Sequence, residues 1–454
     1  MSRARFDPLV YRDPTPNPLL IRAMGPLNQH GVLPHLLRVR AIDFPREDLE
    51  RLRACVRPGT AAFLGPNHPE FMTDWMLDKE ISRRSSPLMA HWASYEIVNQ
   101  SPAAQWLWLS NNLIANAPGG GGREYSIRWA LAGHGVLLHP EGWATWQADR
   151  ISGLVPGIIE MAWETCRRIR LMHGTTPAFV VPLVWKLHFE RDVSAELCAE
   201  MNHIEHALGL PSRASLAVEK RFARLMIGVL QARRARFLGA EAERLAPVDA
   251  RGFFEAQRAF ADRLLADLEA RHETTEGDLR KRLFAIRRSI RKHESEDVER
   301  ARRDRAMLKE VERLQQFVAE IYDQSTLTQE HIAENLKQTR LALLHRGMRE
   351  ILHNLIPVAV APRIAHVRVP EPMAIHEAFV ESGDEEPTKM ALLAQLHARL
   401  QAGVDGLIAE CRPSVDRFRR ENPFHTGLQS TSAYRSNTPI CSSTRRPGWP
   451  ASSS

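Results

Sequence analysis

The run GlyProAsnHisProGluPheMetThrAsp at 65–74 sets one imidazole, His68, beside an amide, Asn67, and two carboxylates, Glu70 and Asp74. Imidazole changes charge between pH 5 and 8, so it can accept a proton at neutral pH and serve as a general base. AlaAlaPheLeu at 61–64 precedes the run and reads as a strand, which puts His68 at a strand end, where ligands collect in open α/β sheets. HisProGluGly at 139–142 ends a second strand-like segment, and ValValProLeuVal at 180–184 is a third, with a proline inside an apolar run. A lone histidine in such a place is more often a turn or cap residue; the ordered combination of segments gives it weight.

In order and separation, these residues resemble the glycerolipid acyltransferase family, which includes bacterial 1-acylglycerol-3-phosphate acyltransferases. Asn67, His68 and Asp74 are similar to its first block, Pro140, Glu141 and Gly142 to its third, and Val181 and Pro182 to its fourth, over roughly residues 35–190. HisValArgValProGluPro at 366–372 resembles the strand that follows. The resemblance implies a mixed α/β fold and acyl transfer from a thioester to an alcohol, with His68 as base and Asp74 fixing its tautomer. It also implies an acceptor-binding corner at Glu141 and Gly142, with Asn67 beside it; Arg123 is a substrate-binding candidate by position.

This chain departs from the family pattern at several places. Five residues, rather than four, separate His68 from Asp74, and Glu70 stands where the family often has a small hydroxyl residue. Either a bulged helix start brings Asp74 to His68, or Glu70 orients the ring instead. The segment LeuIleAlaAsn at 113–116 offers Asn116 where an arginine is usual, and Trp143 and Ala144 follow ProGluGly in place of Thr-Arg. Arg123, Arg128 and Arg150 are the cations placed to compensate.

GlyGlyGlyGly at 119–122 precedes a helix at Arg123, but no GlyLysSer/Thr follows, so it reads as a flexible loop rather than a phosphate cradle. Trp106, Trp108, Trp143 and Trp146 are core candidates with a lesser claim to an acyl groove. His91, His134, His139 and His173 lack metal-site spacing, and no metal is assigned. Acidic residues interrupt the Arg280–Arg305 basic run and Phe284 is its one aromatic, so it reads as a solvated helix face and no nucleic-acid partner is expected.

The elements that must position these residues follow from periodicity. Strands are expected at Leu36–Ile42, Thr60–Leu64, Val136–His139, Ala178–Val184 and Ile364–Val369. Helices are expected at Pro45–Val56, Phe71–Arg83, Ala103–Leu113, Arg123–Ala132, Val155–Leu171 and Pro387–Cys411. Between 193 and 354 the apolar spacing turns helical, with Leu279, Leu283, Ile286 and Ile290, then Leu308, Val311, Leu314, Phe317 and Ile321. Turns at 272–277 and 323–328 predict an antiparallel hairpin or bundle. The expected organisation is an irregular segment at 1–33, an α/β domain at 34–192, a helical insertion at 193–354, a return to the sheet at 355–420 and a disordered tail at 421–454.

With 454 residues, 44% of them hydrophobic and 25% charged, the chain is long enough for two or three domains of roughly 150 residues and excludes wholesale disorder. Cys55, Cys166, Cys198, Cys411 and Cys441 are scattered, which argues against a disulfide framework and for a reducing compartment. The Met1–Gly31 segment does not read as a secretory signal, and no apolar run reaches the roughly 18–20 residues of a spanning helix. A net charge of +7 favours anionic headgroups. The reading is therefore a cytoplasmic O-acyltransferase working peripherally at the inner membrane face. Acyl-CoA or acyl carrier protein is its co-substrate, a glycerolipid or lysophospholipid its acceptor, no cofactor is bound, and the insertion is open to oligomerisation. The alternative is a catalytically degenerate lipid- or acyl-carrier-binding protein whose insertion recruits a partner.

Overall fold

Strands β1 (Val39–Asp43), β2 (Ala61–Pro66), β3 (Ala90–Ser94), β4 (Leu113–Asn116), β5 (Val136–Leu137) and β6 (Ala178–His188) precede the helical region. β7 (Thr326–Leu327) lies within it, and β8 (Arg363–Arg368), β9 (Met373–Ala374) and β10 (Arg420–Glu421) follow it. The computed structural model describes residues 10–425 apart from 118, 245–248, 251, 278, 295, 316–321, 345–347, 356–357 and 382–383. The main sheet runs β1-β8-β6-β2-β5-β3-β4, with β9 also against β6. β8 and β9 are antiparallel to β6, and the other pairings are parallel. This is a mixed α/β architecture with a mostly parallel sheet covered by helices on both faces.

Alternation along each strand assigns the faces. Ala61, Phe63, Val180 and Val184 pack with helices Gly157–Leu171 and Glu385–Val415. Ala62, Leu64, Val181, Leu183 and Trp185 pack on the other side with helices Arg46–Cys55 and Met72–Ser85. The long helix lies close on β6: a Cβ at Gly403 would stand 2.8 Å from Pro370 and 3.0 Å from Val184. Its stripe of Leu393, Leu396, Leu400, Val404 and Leu407 is buried, while Met390, one turn earlier, is 59% exposed.

A proline inside a central strand removes a ladder donor and is normally confined to edges. β6 tolerates Pro182 because β9 pairs with Phe179 and Val180, β8 pairs only from Val184 onward, and Pro182 lies in the gap between them. The ValProGluPro loop at 369–372 spans that gap.

Several expectations are corrected. The segment expected to be irregular at 1–33 contains a helix, Pro18–Leu27, followed by a π-type helix, Asn28–Leu36. Asn17 caps the first by accepting from the Leu19 and Leu20 amides at 3.1 and 3.2 Å, with Pro18 at the first helical position. The strand expected from Leu36 starts at Val39, after Arg38 at φ 55°. β3 was not anticipated, because AlaHisTrpAlaSer is too short and mixed to show a period. β6 runs on to His188, beyond the expected Val184.

The helical region divides into shorter pieces than expected: Ser194–Ala207, Val218–Leu238, Phe253–His272, Leu279–Lys292, Val298–Gln315, Gln329–Leu343 and Met348–Leu355. They share a core of their own that includes Phe222, Leu264, Ile286, Val311 and Leu336. Phe317 and Ile321 lie outside the described residues. Beyond the insertion the chain returns to the sheet as β8, between β1 and β6. No helix among the described residues is long and apolar enough to cross a membrane.

The expected tail also begins too early. β10 pairs with β7, and Phe424, 4% exposed, packs against Phe222, Phe253, Phe254 and Tyr322. Residues 426–454 lie outside the described residues. Phe424→Ala should destabilise the helical region by about 3 kcal/mol through the lost burial and the cavity left behind, read as a lower midpoint in urea.

Candidate active site

Just past the end of β2 the Asn67 amide still donates to the Leu183 carbonyl of β6 at 3.1 Å, and its side chain carries the pairing further. Its Oδ1 accepts from the Trp185 amide and its Nδ2 donates to the Trp185 carbonyl, both at 2.9 Å. Asn67 is buried and its amide is fully engaged in the scaffold, so it fixes the exit of the chain rather than facing a ligand.

The helix that follows starts at Met72, and Asp74 in its first turn folds back over the turn before it. Asp74 Oδ2 accepts from the Glu70 amide at 2.7 Å and from His68 Nδ1 at 2.8 Å, and Oδ1 accepts from Trp185 Nε1 at 2.9 Å. This settles which carboxylate meets the ring. Despite the longer spacing, Asp74 reaches His68, and with Nδ1 donating to a carboxylate the free electron pair belongs to Nε2. Nε2 has no partner among the described residues, and the His68 side chain is 14% exposed.

His139 stacks on His68 with ring centroids 3.9 Å apart and 15° between planes. Its nitrogens lie against the Asn67 carbonyl at 3.0 Å and Asp78 Oδ2 at 3.1 Å. Burial, and then the charge of His139, hold the His68 imidazole well below its ordinary range, in its proton-accepting form. Burial and the nearby Glu70 push Asp74 upward, against the donors Trp185 and Glu70 N.

The ProGluGly turn touches the same residue. Glu141 Oε1 accepts from the His68 amide and Oε2 from the Ser152 amide, both at 2.7 Å. Thr145 N donates to the His68 carbonyl at 2.9 Å, so the loop clips His68 on both sides of its backbone. Glu141 is 1% exposed, whereas Gly142, in the left-handed region at φ 78°, is exposed. The glycine is what permits this turn.

Glu70 faces away from the ring. It receives Arg363 of β8 at 2.6 and 3.1 Å, Lys337 of the Gln329–Leu343 helix at 2.8 Å and the Thr73 hydroxyl at 2.5 Å. Burial opposes its ionisation, yet the Arg363 and Lys337 charges outweigh that and hold the carboxyl well below its usual range. The same helix joins the site loop a second time, where His331 Nε2 meets Asp149 Oδ2 at 2.8 Å and Lys186 bonds Asp149 Oδ1. A cavity of about 20 Å³ lined by Glu70, Glu334, Lys337 and Arg363 lies between sheet and insertion, large enough for a water molecule.

The remaining candidates lie elsewhere or do other work. Arg123 pairs with Glu160 at 3.2 Å on the surface, and Arg128 with Asp13 at 2.7 Å. The GlyGlyGlyGly run leads into the helix Gly121–Leu131, with Tyr11 against Gly121. Trp108 meets Trp75 edge-on at 4.7 Å, Trp146 lies under the Lys337 ammonium at 5.9 Å, and Trp106 is 63% exposed. Within the basic run, Arg282 pairs with Glu269, Arg287 with Glu312 and Arg305 with Glu294. No protein-family model matches the sequence, and a search of curated proteins finds no relative.

His139, Trp185, Lys337 and Arg363 support the dyad and were not read as site residues from sequence. HisProGluGly carried a signal for His139, the residue just before the turn; Lys337 and Arg363 carry none, being 267 and 293 positions from Glu70.

Two measurements test these assignments. Glu70→Gln leaves Arg363 and Lys337 buried without a countercharge and should lower stability by about 3–5 kcal/mol in urea unfolding, while the His68 Nδ1 proton keeps the NMR signature of a carboxylate bond. The His68 ring should titrate well below 6.5 by NMR, and His139→Asn should raise that midpoint. Because the fold disfavours protonated His68, its contribution to stability falls as pH drops below 6.5.

Proposed function

We propose that this chain is an O-acyltransferase of the glycerolipid type, moving a fatty acyl group from a thioester of coenzyme A or acyl carrier protein to a hydroxyl of a glycerolipid or lysophospholipid. The observation that carries the reading is the His68–Asp74 bond, which leaves Nε2 without a partner among the described residues, on a side chain that is 14% exposed. His68 Nε2 removes the acceptor hydroxyl proton as the oxygen attacks the thioester carbonyl. Asp74 steadies the imidazolium, the C–S bond breaks, and the proton passes to the departing thiolate, giving an ester and a free thiol. No acyl-enzyme is required.

Gly142 is exposed and lies on the acceptor side of the corner in this reading, while Glu141 acts by holding His68. Phe71, 41% exposed three residues after His68, offers an apolar surface to an acyl chain. Amphiphilic substrates place the protein peripherally at a membrane, on the cytoplasmic side. A second reading, a lipid- or acyl-carrier-binding protein without turnover, draws support from Asn67 and Glu141, whose polar groups are engaged within the protein.

Thiol release from an acyl thioester, with a lysolipid extract as acceptor, separates the two. Wild type should release thiol in proportion to acceptor, and His68→Ala should lose about 10²–10⁴-fold in rate with unchanged circular dichroism. A variant that keeps the wild-type rate would refute the mechanism, and no turnover with any lysolipid would favour the binding reading.

A further inference from the structure

We propose that His188, His366 and Cys411 form a binding site for one zinc ion, joining the last residue of β6, β8 and the closing helix Glu385–Val415. The inference is independent of the acyltransferase reading. Donor atoms of all three side chains lie within 4.8 Å of one another. His188 and Cys411 are 5% and 4% exposed, and His366 is half-buried.

His366 Nε2 and His188 Nδ1 are 2.8 Å apart. Two nitrogens bound to one tetrahedral zinc at its usual bond length are about 3.3 Å apart, so a small movement admits the ion. Two imidazoles and a thiolate suit zinc, with water completing the four positions.

The surroundings also fit. The other nitrogen of His366 donates to Asp43 Oδ2 at 2.8 Å, the carboxylate–histidine arrangement that orients a ligating ring and raises its basicity. The cations facing the cluster have their own carboxylates: Arg368 bonds Asp43 and Glu410, and Lys186 bonds Asp149. A thiol ligates zinc as the thiolate, so metal binding at Cys411 releases its proton to solvent.

Cobalt(II) reports the site directly, because a tetrahedral cobalt thiolate absorbs by charge transfer in the near ultraviolet. The full chain, freed of metal by chelation, should develop this band with one equivalent of cobalt and lose it when zinc is added. Cys411→Ser should abolish the band, whereas Cys198→Ser should keep it. Asp43→Asn should weaken cobalt binding by about 10–100-fold, and zinc should raise the Tm of wild type but not of Cys411→Ser. Absence of the band in wild type, which needs no variant to fold, would overturn the proposal and leave the histidines as a simple hydrogen-bonded pair. A band that survives in Cys411→Ser, or unchanged affinity in Asp43→Asn, would overturn it as well.

Discussion

An ionised carboxylate taken out of water costs several kcal/mol unless opposite charge and hydrogen bonds replace the solvent, and the architecture is organised around one such group. Glu70, 2% exposed, keeps its charge because Arg363 and Lys337 both reach it. The carboxylate belongs to the turn carrying His68, the guanidinium to the strand after the insertion and the ammonium to the insertion itself. Satisfying one buried charge therefore holds three distant stretches of chain in register. The small cavity beside this cluster makes it sensitive to how the insertion packs.

Around this anchor the dyad is built by scaffold rather than by ligand-facing groups. Asn67 acts as a surrogate strand residue, Glu141 as a clip on the His68 amide, and Trp185 as a donor that steadies Asp74 from the neighbouring strand. The His139 ring lies flat on His68 and bonds Asp78, and burial together with this neighbour disfavours positive charge on His68. The result is an imidazole fixed in orientation and kept neutral, with one nitrogen left over.

Much of this was legible in local sequence, for definite reasons. The apolar runs at 61–64 and 180–184 are buried on both faces and so carry few polar interruptions, and the helices at Arg46–Cys55, Met72–Ser85 and Gly157–Leu171 hold enough turns to show their period. The Asn17–Pro18 cap was present but unread, because prolines nearby suggested irregular chain. β3 and β9 are too short to carry a pattern. Which acid serves His68 depends on how the first turn before Met72 folds back, a matter of three-dimensional geometry that spacing left open between Glu70 and Asp74. The partners of Glu70, and the meeting of His188, His366 and Cys411, arise only when β8 slots into the sheet.

That slotting governs how the molecule can be made. Val39 of β1 pairs with Arg363, and Leu187 of β6 with Ala365, so β1 and β6 cannot complete their ladders until β8 has left the ribosome. At a synthesis rate of about 5–20 residues per second, the stretch between β6 and β8 takes roughly 9–35 s to emerge. Through that interval the half-built sheet presents open edges and apolar faces. The separate core of the inserted helices gives the nascent chain something to fold meanwhile, and aggregation during biosynthesis, more than unfolding of the finished protein, becomes the hazard this topology carries.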